Sequence, residues 1–315
     1  MDLGLGVSII DLMDLGKEKR TGSYILHAEE LTIIETSASP SIPYLLEGFK
    51  KLGIDPKDIK NIIVTHIHLD HAGGVGLLLE SCPNAKVIVH PRGKRHLADP
   101  SKLILGAKAV YGEKFDELFD PIIPVPEDRL IVKEDGDTLQ IGENRILTFL
   151  DTPGHANHHF SIHDSFSNGI FTGDTIGVFY PQLFEKEVEL YLPSTSPNQF
   201  DPDAMLQSME KIKALEVDRI YFGHYGMTTN PAHVYEQITK WLPLFMQDAG
   251  EIWMNNQDES IESKSERLFQ ALFERVSTYL SEKNISLDEN LSEIIQLDLS
   301  VGSMGIVDYL AKKSR

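Results

Sequence analysis

The segment Thr65-His66-Ile67-His68-Leu69-Asp70-His71 constrains this chain more than any other. It follows the apolar run Asn61-Ile62-Ile63-Val64, which reads as a buried strand. In extended backbone, residues i and i+2 point to the same side, so His66 and His68 converge on one point beyond the strand end. Asp70 and His71 follow as the chain turns into a helix, free to face a second point a few Å away. Imidazole and carboxylate are the donors that borderline divalent ions such as zinc prefer. The small residues Ala72-Gly73-Gly74 let the backbone pass close to so crowded a place. A surface histidine cluster with no ligand role is the competing reading.

The rest of the chain argues against that competing reading, because a metal site needs further donors and they occur in suitable places. His155 closes the run ILTFLDTPGH at a Pro-Gly turn, Asp174 closes GIFTGD, and His224 closes RIYFGH. Each emerges where a buried strand stops. Taken singly, a strand-end histidine is as often a hydrogen-bonding surface residue as a ligand; together with the first cluster these three complete a set of seven donors.

The pattern along the chain places these motifs. SYILHA and LTIIET alternate as strands around a turn at Glu29-Glu30, and IPYLLEGFKKLGI has helical spacing stopped by Gly53. NIIVTH, VGLLLES and KVIVH form a βαβ-like unit, whose functional loops lie at the strand C-terminal ends. Asp135-Gly136 and Ser167-Asn168-Gly169 read as hairpin turns. Residues 178–202 form a loop rich in proline and aromatics, followed by a helix (DPDAMLQSMEKIKALE) and a last strand. After about residue 231 the sequence turns helical, with Leu268, Leu272, Val276 and Leu280 recurring at every fourth position beside Phe269 and Phe273. The expected organisation is a catalytic domain over residues 1–230 and a helical C-terminal extension over 231–315. The extension either packs onto the body of the protein or serves as a dimerisation element, so a homodimer is an expectation.

Charge bounds the partners. With 29 Lys and Arg against 48 Asp and Glu, the formal net charge is −19. Such a field repels phosphate backbones and anionic lipid, and no basic run supplies a local exception. The expected partner is a small neutral or singly charged molecule, with no nucleic acid and no membrane. Cys82 is the single cysteine, so no intramolecular disulfide forms, and a buried small hydrophobe is its plain reading. The first twenty residues lack a basic region ahead of an apolar one, and no apolar run approaches the ~18 residues of a membrane span. Together these lead us to expect a cytoplasmic protein.

Taken in order, THIHLDHAGG, TPGH, TGD and the late strand-end histidine resemble the signatures of the metallo-β-lactamase superfamily over residues 20–230. The resemblance is greater to its glyoxalase-II-like metallohydrolase branch than to the true β-lactamases, which lack the Asp of this cluster. It implies an α/β fold, a four-layer αβ/βα sandwich with metals at one edge between two sheets. It implies that His66, His68 and His155 hold one ion, that Asp70, His71 and His224 hold a second, and that Asp174 bridges them. Two divalent ions, zinc first with iron or manganese as alternatives, would lower the pKa of a shared water towards 7. Asp70 is the candidate to carry its proton to the leaving group; a ligand and nothing more is its other reading.

The substrate is less constrained. The lactonases of the superfamily place a Tyr three residues after the bridging Asp, where this chain has Gly177, with Tyr180 out of register. Phe179, Tyr180, Leu183, Phe184 and Tyr191 offer an apolar wall over the site, suited to an ester, thioester or lactone; a packing loop is the alternative. His158 and His159 fit either a pocket role or packing, and Asp151-Thr152 is a candidate to orient a ligand imidazole. Two other classes fit the same motifs. One is a mononuclear iron persulfide dioxygenase; the other is a non-catalytic binding protein that metals merely stabilise.

Overall fold

The structure, a computed structural model, describes residues 1–314. It divides into two compact units. The first comprises residues 1–151, 158–173 and 216–230; the second comprises 152–157, 174–215 and 231–315.

The first unit is built on two six-stranded sheets. In one, β1 (Val7–Asp11), β2 (Gly22–Leu26), β3 (Thr32–Ile34), β4 (Asn61–Ile63), β5 (Lys86–Val89) and β6 (Leu130–Val132) lie in sequence order. β1–β3 are antiparallel, so the Glu29-Glu30 turn is the hairpin expected, whereas β3 to β6 run parallel. Parallel neighbours need crossovers, supplied by α1 (Ile42–Lys51), α2 (Leu69–Ala72), α3 (Val75–Ser81), α4 (Pro91–Ala98), α5 (Ser101–Tyr111) and α6 (Phe115–Phe119). The expected βαβ unit is thus β4–α3–β5. In α1 the residues Ile42, Leu45 and Phe49 fall on one helical face, and that face is buried with Ile62, Val64, Val75, Leu78 and Val87.

The second sheet has the order β14-β13-β10-β9-β8-β7: β7 (Thr138–Gly142), β8 (Arg145–Asp151), β9 (Phe160–Asp164), β10 (Gly169–Phe171), β13 (Arg219–Tyr221) and β14 (Met227–Thr228). The Ser-Asn-Gly turn joins β9 to β10 as a hairpin, with Asn168 at φ 44°. The Asp-Gly turn does not make a hairpin. Its flanking strands, β6 and β7, belong to different sheets, so Asp135-Gly136 carries the chain from one sheet to the other. A turn dipeptide specifies a local reversal; which sheet each flank joins is decided by distant burial.

The alternate residues of both sheets meet in one core. Ile9, Tyr24, Leu26, Ile34, Ile63 and Ile88 come from the first sheet, and Leu147, Phe149, Phe160, Ile162, Phe171 and Tyr221 from the second. Tyr24 stands edge-on to Phe171 at 5.1 Å, and Phe171 stacks on Tyr221 at 4.4 Å. Such pairs contribute about 0.5–1.5 kcal/mol each beyond their buried area.

The second unit holds a short pair of strands, β11 (Val178–Phe179) and β12 (Tyr191–Leu192), with the helices α7 (Pro181–Phe184), α8 (Pro202–Lys213), α9 (Pro231–Asn255), α10 (Ile261–Glu282) and α11 (Glu289–Lys313). The stripe Leu268, Leu272, Val276 and Leu280 is fully buried, as its spacing requires, against Trp241, Phe245, Ile295 and Leu299. The helical run from 231 shares this core with β11, β12 and Met205. One expectation needs correcting: α11 is by length and composition apolar enough to cross a membrane. Half of its most apolar stretch is buried in the core of the unit, which accounts for that composition.

The mixed αβ sandwich expected from the sequence is the fold found, with the C-terminal helices present. Cys82 is fully buried, and burial pushes its thiol up to about 12, which leaves it a packing residue.

Candidate metal centre

Within the first unit, the end of β4 delivers the histidine cluster. The backbone N–H of Phe160, opening β9, donates to the carbonyl of Thr65 at 3.0 Å, so the two sheets are tied where the cluster begins. His66 and His71 are fully buried, with ring centroids 4.1 Å apart; His68 lies edge-on to His66 at 4.6 Å and is partly exposed. His68 stands at the N-cap of α2, so Asp70 and His71 sit on its first turn, as the sequence suggests.

His224 comes from the turn between β13 and β14. Tyr225 at φ 55° and Gly226 at φ 88° form that turn, and the Tyr24 hydroxyl lies 2.6 Å from the carbonyls of both Phe222 and Gly226. Burial raises the Tyr24 pKa well above its ordinary value, so the hydroxyl stays a donor. The turn presents His224 to Asp70. The Nε2 atoms of His71 and His224 lie 3.7 and 3.9 Å from Asp70 Oδ2, and the ligand atoms of Asp70, His71 and His224 all lie within 4.8 Å of one another.

Partners on the far sides of the rings orient these donors. Thr65 Oγ1 lies 3.0 Å from His66 Nδ1. Glu35 places Oε2 at 3.3 Å from His71 Nδ1 and accepts the Thr65 N–H on Oε1 at 2.9 Å. Glu35 is 1% exposed and holds φ at 71°, a conformation costly for a non-glycine residue and maintained by its surroundings. Arg20 Nη1 lies 3.1 Å from His224 Nδ1, with Arg20 Nε 3.4 Å from the buried Asp14. A guanidinium only donates, so at this contact His224 Nδ1 is the acceptor. Glu35, Arg20 and Thr65 carry no spacing signal, and the sequence does not single them out.

The second unit holds the other two donors. His155 and Asp174 are each 2% exposed, with His155 Nε2 3.7 Å from Asp174 Oδ2. One residue, Ser194, contacts both. The carbonyl of Ser194 lies 2.9 Å from His155 Nδ1, and the Ser194 hydroxyl donates to Asp174 Oδ2 at 3.0 Å.

Several secondary expectations change. Of the aromatic wall, Phe179, Tyr180, Leu183 and Tyr191 are at most 5% exposed, and Tyr180 and Leu183 belong to the core of the second unit. Among the five, Phe184 alone is exposed, so the packing-loop reading prevails. At the end of β8, Asp151 pairs with His90, Nε2 to Oδ1 at 2.8 Å. His159 packs against Gly173 and Thr65: a Cβ on Gly173, at φ 48°, would fall 2.4 Å from His159 Nε2 and 2.5 Å from Thr65 Oγ1. Glycine is therefore required at the second position of the TGD motif. Both rings border the histidine cluster: His159 lies 5.0 Å from His66 between ring centroids, and His158 stands edge-on to His68 at 5.3 Å.

The donor set fits a divalent metal. Imidazole nitrogens and a carboxylate converge in a buried place, and His66 and His71 have polar partners on Nδ1, the arrangement that metal-bound histidines use. Replacing Glu35 by Gln keeps shape and removes charge. Metal affinity is expected to fall about 10- to 100-fold, the usual cost of losing such a partner. Competition with a chromophoric chelator measures it; a change under twofold would mean that Glu35 orients nothing.

Histidine and aspartate donors at the ends of sandwich strands define a metal-dependent hydrolase class. The chain belongs to the metallo-β-lactamase superfamily, whose family model matches residues 20–224. It is 29% identical over 211 residues to the metallo-beta-lactamase fold-containing protein ST1585 of Sulfurisphaera tokodaii, covering 65% of this chain and 73% of that one. The crystal structure of ST1585 superposes with a TM-score of 0.68 at 21% identity, over 96% of this chain and 98% of the other. The probable metallo-hydrolase MJ0888 of Methanocaldococcus jannaschii is 29% identical over 219 residues, 69% of this chain and 94% of that one. The flavo-diiron protein FprA2 of Clostridium acetobutylicum is 24% identical over 251 residues, 71% of this chain and 56% of that one.

Proposed function

We propose that this chain hydrolyses a small ester, thioester or lactone-type substrate with two divalent metal ions, zinc before iron or manganese. His66, His68 and His155 would hold one ion, Asp70, His71 and His224 the other, and Asp174 would bridge. The observation that carries this reading is the Asp70–His71–His224 convergence within 4.8 Å, a second donor group beyond the first histidine pair. When bound, two such ions supply hydroxide at neutral pH and polarise a carbonyl.

The protein's own groups do the rest. Glu35 and Ser194 hold rings and carboxylate in place. Asp70, 22% exposed on its side chain, is the donor most open to solvent in its group, which suits a proton carrier to the leaving group. The net charge of −19 disfavours polyanionic substrates.

An iron oxidoreductase is the second reading, favoured by the likeness to FprA2. A persulfide dioxygenase with a single iron is its mononuclear form. Metal analysis of the purified protein separates them. About two zinc or manganese ions per chain, with ester or thioester hydrolysis abolished by a chelator and restored by the metal, is the expected result. Iron with oxygen uptake on a persulfide would overturn the hydrolase.

A further inference from the structure

The C-terminal helix α11 begins 65 residues beyond His224, yet it is joined to two of the donors through a single short loop. On the loop's inner side, Ser194 fixes His155 with its carbonyl and Asp174 with its hydroxyl, and the Ser196 hydroxyl reaches the His155 carbonyl at 3.4 Å. On its outer side the loop is seated on α11. Thr195 Oγ1 donates to the Gly302 carbonyl at 2.8 Å, the Asn198 N–H donates to Asp308 Oδ2 at 3.0 Å, and Lys312 Nζ donates to the Asn198 carbonyl at 2.9 Å.

The seat is close. A Cβ on Gly305 would lie 2.7 Å from the Ser196 carbonyl carbon and 2.8 Å from its N and O, so loop or helix must shift if that glycine gains a side chain. Backbone cannot rotate away as a flexible side chain can. Thr195 is 3% exposed and Gly302 and Gly305 are buried, so the contact is dry and the loop has little room to relax elsewhere.

We infer that Ser194 is a positioning residue for the metal centre and that α11, through Gly302, Gly305 and Asp308, is the part of the fold that holds Ser194 in register. This rests on the proposal that His155 and Asp174 are metal ligands. The physical link is short. Ser194 supplies the acceptor that keeps the His155 ring proton on Nδ1, leaving Nε2 to bind metal, and the donor that turns the Asp174 carboxylate. Moving the loop by a few tenths of an Å spoils both at once. The helical extension would then belong to the metal centre.

Cobalt(II) titration of the full chain tests this, read by the visible ligand-field spectrum and by competition with a chromophoric chelator. Ser194→Ala is expected to weaken cobalt binding about 10- to 100-fold and to change the spectrum, while Ser194→Thr, which keeps the hydroxyl, stays within about threefold of wild type. Gly305→Ala, with Ser194 intact, is expected to shift the same spectrum in the same direction. If Gly305→Ala fails to fold by circular dichroism, Asp308→Ala with Lys312→Ala cuts two outer ties at the surface and should weaken binding in the same sense. Wild-type affinity and spectrum in Ser194→Ala, or in every folded α11 variant, would overturn the inference. A wild-type chain that binds no cobalt would instead overturn the metal reading on which it rests.

Discussion

With Asp174 bridging the two proposed ions, Asp174→Ala is expected to empty both positions in part and to lower kcat/KM of the proposed hydrolysis about a thousandfold. The residue is 2% exposed and its Oδ2 sits 3.0 Å from the Ser194 hydroxyl and 3.7 Å from His155 Nε2. A bridging carboxylate serves each ion, so its loss is felt twice. A metal contributes several kcal/mol of transition-state charge stabilisation, and about 1.4 kcal/mol is a factor of ten in rate, which sets the size of the loss. Metal content and hydrolysis measured on the same preparation check it. His68→Ala serves as the contrast, because the proposed ligand set assigns it to one ion alone. If Asp174→Ala kept two metals per chain, the bridging role would be gone.

The largest effect on stability is expected at a place remote from the metals. Arg145 and Asp164, at facing ends of β8 and β9, form a bidentate pair with Nε–Oδ1 at 3.0 Å and Nη2–Oδ2 at 2.7 Å, and their side chains are 5% and 0% exposed. Asp164 also accepts from the Ser167 hydroxyl and the Phe166 N–H, while Arg145 Nη1 donates to the Gly6 carbonyl ahead of β1. Each single replacement, Arg145→Met or Asp164→Leu, leaves an uncompensated buried charge. Losses of about 3–5 kcal/mol are expected for either. The double variant should lose well under the sum of the two single losses, since two apolar side chains of similar volume leave no charge behind. Urea unfolding of the four proteins gives the coupling; two single losses under about 1 kcal/mol would show that the pair is worth little.

How much of this was legible depends on the kind of signal. His66, His68, Asp70 and His71 stand out because strand and helix periodicity force neighbours in sequence to converge in space. His155, Asp174 and His224 are legible as the chemical type that ends apolar strands. Glu35, Arg20 and Ser194 are not, because their relation to the donors is made by tertiary contact across 20 residues or more. Tyr180 and Leu183 mislead in the other direction. An apolar residue near a motif reads equally as pocket wall or core, and the burial that decides comes from helices beginning only at residue 231. Asp135-Gly136 shows the same limit at the level of topology: the turn chemistry is right, and the sheet assignment is written in distant strands.

The turn that carries His224 has a bearing on how the chain matures. Roughly 150 residues separate it from Asp70 and His71, and the hydroxyl of Tyr24 in β2 clasps the carbonyls of Phe222 and Gly226 on either side of it. During synthesis the early histidines emerge long before their late counterpart, and closing so large a loop is an entropic cost that sandwich packing, not a metal, must meet first. Metal capture is therefore expected to follow folding. In a refolding experiment, full chelator-resistant binding should arise with the slowest phase, making the metal a reporter of the finished chain.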